Sequence, residues 1–219
     1  MKILFATMPA EGHFNPLTGI AMHLKAAGHD VRWYAASKYI PKLELLGIPF
    51  YPFVRASEVD ASNIGELYPE RARLRGLALI RFDGNVFFVS DVGNHFEDVR
   101  DIDAAFPFDV LFCDDGFYAM KPIKDRLGKR VCAVGAAPVM EADDDAPPNF
   151  MGLRPATNPF SRLVQRSIRA MMDVLVMNQM KDSFNAVLAA HDVAPIEDAF
   201  LDLPYRCPDV VFQSGAPGF

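Results

Sequence analysis

The stretch MPAEGHFNPLTGIAMHLKAAGHDV, residues 8–31, decides the fold because it joins a buried strand to an amphipathic helix and leads into a second strand. The preceding run KILFATM has strand length and no alternation, which is typical of a strand covered on both faces of a parallel sheet. Asn15 and Pro16 predict the start of the helix as its N-cap and first position, and Gly28 predicts its end. DVRWYAA then predicts the second strand.

The alternation of strand and helix continues along the chain. Further strand-like runs are IPFYPF, FDVLFCD, RVCAVG and PDVVFQSG, and helical patterns lie at residues 37–46, 86–106, 118–127 and 160–191. Residues 56–85 carry many charges and polar breaks, which predict loops with short helices. The sequence therefore predicts an α/β fold, a Rossmann-like doubly wound parallel sheet with flanking helices, as a single domain over residues 1–219.

The composition is that of an acidic globular protein. The net charge of -6 and the pI of about 5.3 disfavour a nucleic-acid partner. Cys113, Cys132 and Cys207 are far apart and show no zinc-like spacing, so we expect no disulfide or metal framework and a reducing, cytoplasmic location. The opening MKILFATM lacks the features of a secretory signal, and no apolar run approaches the roughly 18 to 20 residues that span a bilayer.

A histidine stands where the first strand is predicted to meet the first helix. His13 follows Gly12 at the carboxyl edge of the sheet, which is where open α/β folds bind ligands. The positive end of the helix disfavours an imidazolium and so suits His13 to act as a general base, while Gly12 leaves room for a substrate. A solvent-exposed loop histidine or a local cap is the alternative. The stretch has neither the dinucleotide-binding nor the phosphate-loop glycine pattern.

The motif G-H-x-N-P, followed by a helix and then G-H-x-V, resembles the amino-terminal half of family 1 glycosyltransferases of the GT-B fold. These UDP-glycosyltransferase-like enzymes glycosylate antibiotics, macrolides, carotenoids and plant metabolites. The resemblance continues more weakly through GIPFYPF, FDVLFCDDGFYAMKPIKDRLG and the region from NAVLAAHDVAP to DVVFQSGAPGF. It implies an acceptor-side domain, one half of a GT-B fold, with the carboxyl-terminal donor domain absent. No cofactor is expected in this domain, and a UDP- or dTDP-sugar would be the co-substrate of the complete enzyme.

The resemblance also implies roles for individual residues. His13 matches the base that deprotonates the acceptor hydroxyl, and Asp114, at the end of the fourth strand, matches the carboxylate that orients this base. No metal ligand is assigned, because the Asp-rich run EADDDAPPN is more typical of a solvated loop. The residues expected to contact a small-molecule acceptor are Gly12, Phe14, Asp115 and Phe117.

Two other functions fit the same residues. A non-catalytic, glycosyltransferase-related domain would keep the pocket and bind an apolar ligand or a partner protein. A self-contained flavodoxin-like domain would bind a nucleotide at the sheet edge, although the sequence offers no phosphate loop. In addition, Arg162, Arg166 and Arg169 beside an apolar helix face are compatible with a membrane surface, but the net charge favours docking of this helix on the domain or on a partner domain.

Overall fold

The computed structural model describes residues 1–141, 143, 146–149 and 151–213, and within them six parallel strands form one sheet. The strands are β1 (Lys2–Ala6), β2 (Asp30–Ala35), β3 (Phe50–Pro52), β4 (Val110–Asp114), β5 (Arg130–Gly135) and β6 (Val210–Gln213). Their order is β3-β2-β1-β4-β5-β6. This is the Rossmann order and differs from that of flavodoxin-like sheets, so the predicted doubly wound α/β fold is confirmed.

Helices connect the strands and cover the sheet. They are α1 (Glu11–Ala26), α2 (Ile40–Leu45), α3 (Ile64–Leu67), α4 (Gly76–Phe88), α5 (Val92–Ala105), α6 (Met120–Leu127), α7 (Pro159–Met172), α8 (Asn178–Ala190) and α9 (Leu203–Arg206). Short 3₁₀ turns lie at Ser37–Tyr39, Pro69–Arg73 and Phe200–Asp202, and a π-helical turn at Asp173–Met177 joins α7 to α8. The helix α4 corrects the prediction of loops with short helices over residues 56–85.

Alternate side chains of β1 enter two separate cores. Ile3 and Phe5 pack with residues of α1 and α2 on one face of the sheet. Leu4 and Ala6 pack with residues of α5, α6 and α8 on the other face. Because successive strand residues point to opposite faces, a strand that is covered on both sides needs an apolar residue at every position.

The helix α1 begins earlier than the sequence predicts. It starts at Glu11, so that Asn15 and Pro16 lie inside the helix rather than at its cap and first position. The amides of His13 and Phe14 already donate to the carbonyl of Ala10 at 3.0 Å, which closes the first turn before the proline is reached. Pro16 has no amide hydrogen and leaves one carbonyl without its helical donor. His13 therefore stands in the first turn of α1, not in a loop ahead of it.

The helix α7 exposes an apolar stripe, which consists of Phe160, Leu163, Val164 and Met171. Gln165, on another side of the same helix, is buried. Of the two expectations for α7, docking on the domain through its apolar face is therefore not what the structure has, and docking on a partner domain stays a prediction. Among the described residues, no helix combines the length and the apolar character needed to cross a membrane.

Candidate functional site

The side chains of His13 and Asp114 meet at the carboxyl edge of the sheet. Nδ1 of His13 lies 2.7 Å from Oδ1 of Asp114. Asp114 is the last residue of β4, and β4 pairs with β1, which leads into α1. The imidazole is 25% exposed, whereas the carboxylate is fully buried. One ring edge is therefore held in the protein interior while the other is open to a ligand.

Two backbone amides fix the Asp114 carboxylate. The N–H of Met8 donates to Oδ2, and the N–H of Gly116 donates to Oδ1, both at 2.8 Å. With the carboxylate held in this way, a neutral His13 donates its Nδ1–H to Asp114 and keeps an unprotonated Nε2. This is the tautomer that a general base requires.

The electrostatic environment of His13 favours its charged form. Burial lowers the pKa of His13, but the hydrogen bond to Asp114 and the negative charges of Asp114 and Asp115 outweigh it, so the pKa is raised above its ordinary value of 6.5. The positive helix N-terminus alone would lower the pKa of His13, so the observed direction is the opposite of the one expected from the sequence. An imidazolium that forms when the ring accepts a proton is therefore stabilised.

Asp115 supplies a second carboxylate beside the ring. Its Oδ1 lies 3.7 Å from Nδ1 of His13 and, within the described part of the chain, is buried without a hydrogen-bond partner. Its Oδ2 accepts the N–H of Ala137 at 3.3 Å. Burial, followed by the charge of Asp114, raises the pKa of Asp115.

The same three side chains are close enough to be considered for metal binding. Potential ligand atoms of His13, Asp114 and Asp115 all lie within 4.8 Å of one another. However, Nδ1 of His13 and both oxygens of Asp114 are already engaged in hydrogen bonds, which fits a histidine–carboxylate pair better than a set of metal ligands. The absence of a metal ligand stays a prediction. Part of the Asp-rich run EADDDAPPN lies outside the described residues.

Gly116 allows the backbone to approach the two catalytic candidates closely. A Cβ atom at this position would lie 2.9 Å from Oδ1 of Asp114 and 3.2 Å from Cε1 of His13. The nearest atom to such a Cβ is Sδ of Met8, so any other residue would displace the side chain of Met8 or the carboxylate of Asp114. Gly116 was not predicted as a site residue, although a glycine directly after two aspartates at a strand end was the available signal.

An apolar cavity of about 490 Å³ opens beside His13. One of its walls is formed by α4 through Gly84, Phe87 and Phe88. Methionines from other parts of the described chain also line it, namely Met140, Met151, Met172, Met177 and Met180. Methionine side chains are unbranched and adapt to irregular shapes. Since His13 and Asp115 line the same cavity, an apolar molecule bound there can present a polar group to the imidazole.

The residues predicted to contact the acceptor lie in different environments. Asp115 lines the cavity. Gly12 is exposed in the first turn of α1, where a Cβ atom would meet nothing within 4 Å, so no tight turn requires a glycine. Phe14 is fully buried on the opposite side of the sheet, with its ring 4.1 Å from that of Tyr39, and is a core residue instead. Phe117 is 1% exposed, packs in the other core and is not among the residues that line this cavity.

The cavity wall formed by α4 was not predicted from the sequence. Leu77, Ile80, Gly84 and Phe87 follow one another at helical spacing, which was the available signal. Charged residues between them masked this pattern. Met172 and Met180 line the cavity as well as packing against the core.

Comparisons with known proteins agree with this fold. No protein-family profile matches the chain. The 4'-demethylrebeccamycin synthase of Lentzea aerocolonigenes is 24% identical over 218 residues, which are 100% of this chain and 52% of that protein. The chain thus spans about half the length of this curated relative.

Solved structures of glycosyltransferases also match almost all of this chain and about half of their own length. The glycotransferase of kitacinnamycin matches 97% of this chain and 45% of its own, with a TM-score of 0.64 and 15% identity. A spinosyn rhamnosyltransferase complexed with thymidine diphosphate matches 99% of this chain and 48% of its own, with a TM-score of 0.56 and 14% identity. The resemblance to GT-B glycosyltransferases that the sequence indicates is confirmed at the level of the fold.

Proposed function

We propose that this chain is the acceptor-binding half of an inverting glycosyltransferase, which moves a sugar from a nucleotide-sugar to a hydroxyl group of a small apolar acceptor. The main support is the 2.7 Å contact between Nδ1 of His13 and Oδ1 of Asp114 at an apolar cavity of about 490 Å³. The names of the similar proteins, a synthase of 4'-demethylrebeccamycin and a spinosyn rhamnosyltransferase, agree with sugar transfer.

In this proposal His13 is the general base. Its Nδ1–H is donated to Asp114, so Nε2 is available to remove the proton of the acceptor hydroxyl. As the proton leaves, the hydroxyl oxygen forms a bond to the anomeric carbon of the sugar. The bond from this carbon to the nucleoside diphosphate breaks, and the diphosphate leaves with the electron pair. A single displacement from the opposite face inverts the configuration, and Asp114 stabilises the imidazolium until its proton passes to solvent.

The sugar donor is bound elsewhere in this proposal. Residues 1–219 form a single acceptor-side domain without a cofactor of its own, and a carboxyl-terminal donor domain holds a UDP- or dTDP-sugar. The 52% coverage of the curated relative supports this division, and the thymidine diphosphate in the spinosyn enzyme supports a nucleotide-sugar as the donor. A cytoplasmic location is also proposed, because Cys113, Cys132 and Cys207 are all free thiols.

A transfer assay tests the proposed function. The chain is combined with a donor half and incubated with UDP-glucose or dTDP-glucose and a panel of apolar phenols. We expect an O-glycoside by mass spectrometry, with a β linkage by NMR because both donors are α-linked. A product that retains the α configuration would contradict the single displacement, and the absence of any glycoside across the panel would contradict sugar transfer.

The position of the cavity favours a second candidate function. The cavity walls supplied by this chain are mainly apolar, with Phe87, Phe88 and Met180 among them, so they offer a binding surface to an apolar ligand. A non-catalytic domain that binds an apolar ligand would use the same cavity. Calorimetric titration of the chain with the same phenols measures this binding directly. If a phenol binds but no sugar is transferred to it with any donor half and sugar donor, ligand binding is the function and sugar transfer is not.

A further inference from the structure

Asp115 places an unpaired carboxylate oxygen next to the imidazole of His13. Its side chain is only 3% exposed, and Oδ1 lies 3.7 Å from Nδ1 of the ring. In the part of the chain that the structure describes, this buried oxygen accepts no hydrogen bond. A buried carboxylate oxygen in this state is unfavourable unless a positive charge forms nearby.

The carboxylate oxygens of Asp114 accept more hydrogen bonds than those of its neighbour Asp115. Asp114 accepts hydrogen bonds from two backbone amides and from the ring of His13. Asp115 accepts a long one from Ala137 through Oδ2 and leaves Oδ1 free. Burial and the charge of Asp114 raise the pKa of Asp115, while the backbone amide of Ala136 and then the charge of His13 act in the opposite direction. The interaction between Asp115 and the ring is therefore favourable only when the ring is protonated.

We propose that Asp115 is a second carboxylate partner of His13, which stabilises the imidazolium formed as the ring removes the acceptor proton. The proposal rests on the proposed function of His13 as the base. Asp114 orients the neutral ring, whereas Asp115 contributes its charge interaction only once proton transfer has begun. An interaction that is stronger in the transition state than in the ground state accelerates the reaction. Asp115 is thus a positioning residue that acts through His13, rather than the acceptor contact expected from the sequence.

Other charged groups around the ring are engaged elsewhere or exposed. Asp83 of α4 lines the same cavity but forms an ion pair with Arg71, with 2.7 Å between Oδ1 and Nε. Glu11 lies in the same helical turn as His13 and is exposed to solvent. The charges that raise the pKa of His13 are those of Asp114 and Asp115.

An NMR titration of His13 in this chain tests the proposal. We expect Asp115→Asn to lower the pKa of His13 by about one unit, since an opposite charge at this distance has such an effect. Glu11→Gln removes the same charge from an exposed position and serves as the control, with a much smaller shift because solvent screens it. The ring nitrogen chemical shifts should report an unchanged tautomer in Asp115→Asn. A pKa that falls in Asp114→Asn but not in Asp115→Asn would overturn the proposal.

A reciprocal titration covers the case in which Asp115→Asn does not fold. The carboxyl carbon of Asp115 is followed by NMR in the unchanged chain and in His13→Gln. Loss of the imidazolium should raise the pKa of Asp115, because linkage between two groups is mutual. An unaltered titration of Asp115 would count against the proposal. Neither titration needs a sugar donor, so a failure of sugar transfer leaves both results interpretable.

Kinetics of the assembled enzyme distinguish a role of Asp115 in stabilising the imidazolium of His13 from a role in contacting the acceptor. If it acts through His13, Asp115→Asn lowers kcat about tenfold with the KM for the acceptor unchanged, which corresponds to one pKa unit. If KM rises and kcat is unchanged, Asp115 contacts the acceptor and the proposal is wrong.

Discussion

Nδ1 of His13 lies 2.7 Å from Oδ1 of Asp114, although 101 positions separate the two residues in the sequence. Parallel pairing of β1 with β4 brings them together, because Ala6 near the end of one strand stands opposite Cys113 near the end of the other. The site therefore depends on the register of two central strands. These strands are buried, which makes the geometry of the pair rigid.

Removal of the imidazole tests the role of His13 as base. In the assembled enzyme we expect His13→Ala to lower kcat by about 10²- to 10⁴-fold, since general base catalysis contributes this much. His23→Ala is the matched control, because His23 is exposed on the same helix. Both variants should stay folded, and His13→Ala should lose only the stability that the pair with Asp114 contributes below the folded-state pKa of His13. Wild-type turnover in His13→Ala would exclude this residue as the base.

The pH dependence of the reaction follows from the raised pKa of His13. A general base acts in its neutral form, so kcat/KM should rise with pH through a pKa above 6.5. Asp114→Asn removes the hydrogen bond and a charge, so the acidic limb should move to lower pH while the maximal rate also falls. An acidic limb at the same pH in both proteins would show that Asp114 does not act on the base.

The same pKa shift predicts a pH dependence of stability. Because the pKa of His13 is higher in the folded than in the unfolded state, its contribution to the free energy of unfolding is fully present below pH 6.5. The contribution is lost as the pH rises through the folded-state pKa. Urea unfolding at a series of pH values should show this loss in the wild type. The loss should be absent from His13→Gln, and an identical pH dependence in the two proteins would contradict it.

Gly84 offers a way to narrow the cavity without removing a polar group. A Cβ atom at this position would lie 2.7 Å from Sδ of Met180, so Gly84→Ala should push this flexible side chain into the cavity. We expect weaker binding of bulky phenols and nearly unchanged binding of small ones, measured by calorimetry.

The control for this variant is Gly19→Ala. Gly19 lies in α1, is exposed, and its Cβ atom would meet nothing within 4 Å. This substitution should raise the free energy of unfolding by about 0.5–1 kcal/mol through helix propensity and leave ligand binding unchanged. Equal effects of both substitutions on binding would contradict the assignment of the cavity.

A buried aspartate anchors the segment that follows β3. Asp98 of α5 accepts a hydrogen bond from Oη of Tyr34 at 2.8 Å and from the amides of Val54 and Arg55 at 2.9 and 3.1 Å. Burial raises the pKa of Asp98, but these hydrogen bonds outweigh it, and the net shift is downward. Its contribution to stability is therefore present above an unfolded-state pKa of 3.8 and lost as the pH falls through the folded-state pKa.

Loss of this carboxylate should destabilise the fold. We expect Asp98→Ala to lower the free energy of unfolding by about 3–5 kcal/mol, because buried donors lose their partner. Asp101→Ala is the control, since Asp101 is 55% exposed and forms a solvent-exposed ion pair with Arg55. That change should cost about 0–1 kcal/mol in urea unfolding. Similar losses in both variants would contradict the anchoring role of Asp98.

The sequence by itself determined the α/β fold. Continuous apolar runs such as that of β1 are typical of strands covered on both faces, and their alternation with helical patterns predicts a parallel sheet. The resemblance to GT-B glycosyltransferases then singled out His13 and Asp114, and the observed 2.7 Å contact agrees with this expectation.

Only the tertiary structure decided which way the remaining side chains face. His13 and Phe14 are neighbours in α1, yet successive helical residues point about 100° apart, so one enters the site and the other the core. The cavity between α4 and the methionines depends on packing between segments distant in the chain, which periodicity does not record. The burial of Asp115 Oδ1 without a hydrogen-bond partner among the described residues also depends on tertiary packing, because the residues around it come from different elements of the fold.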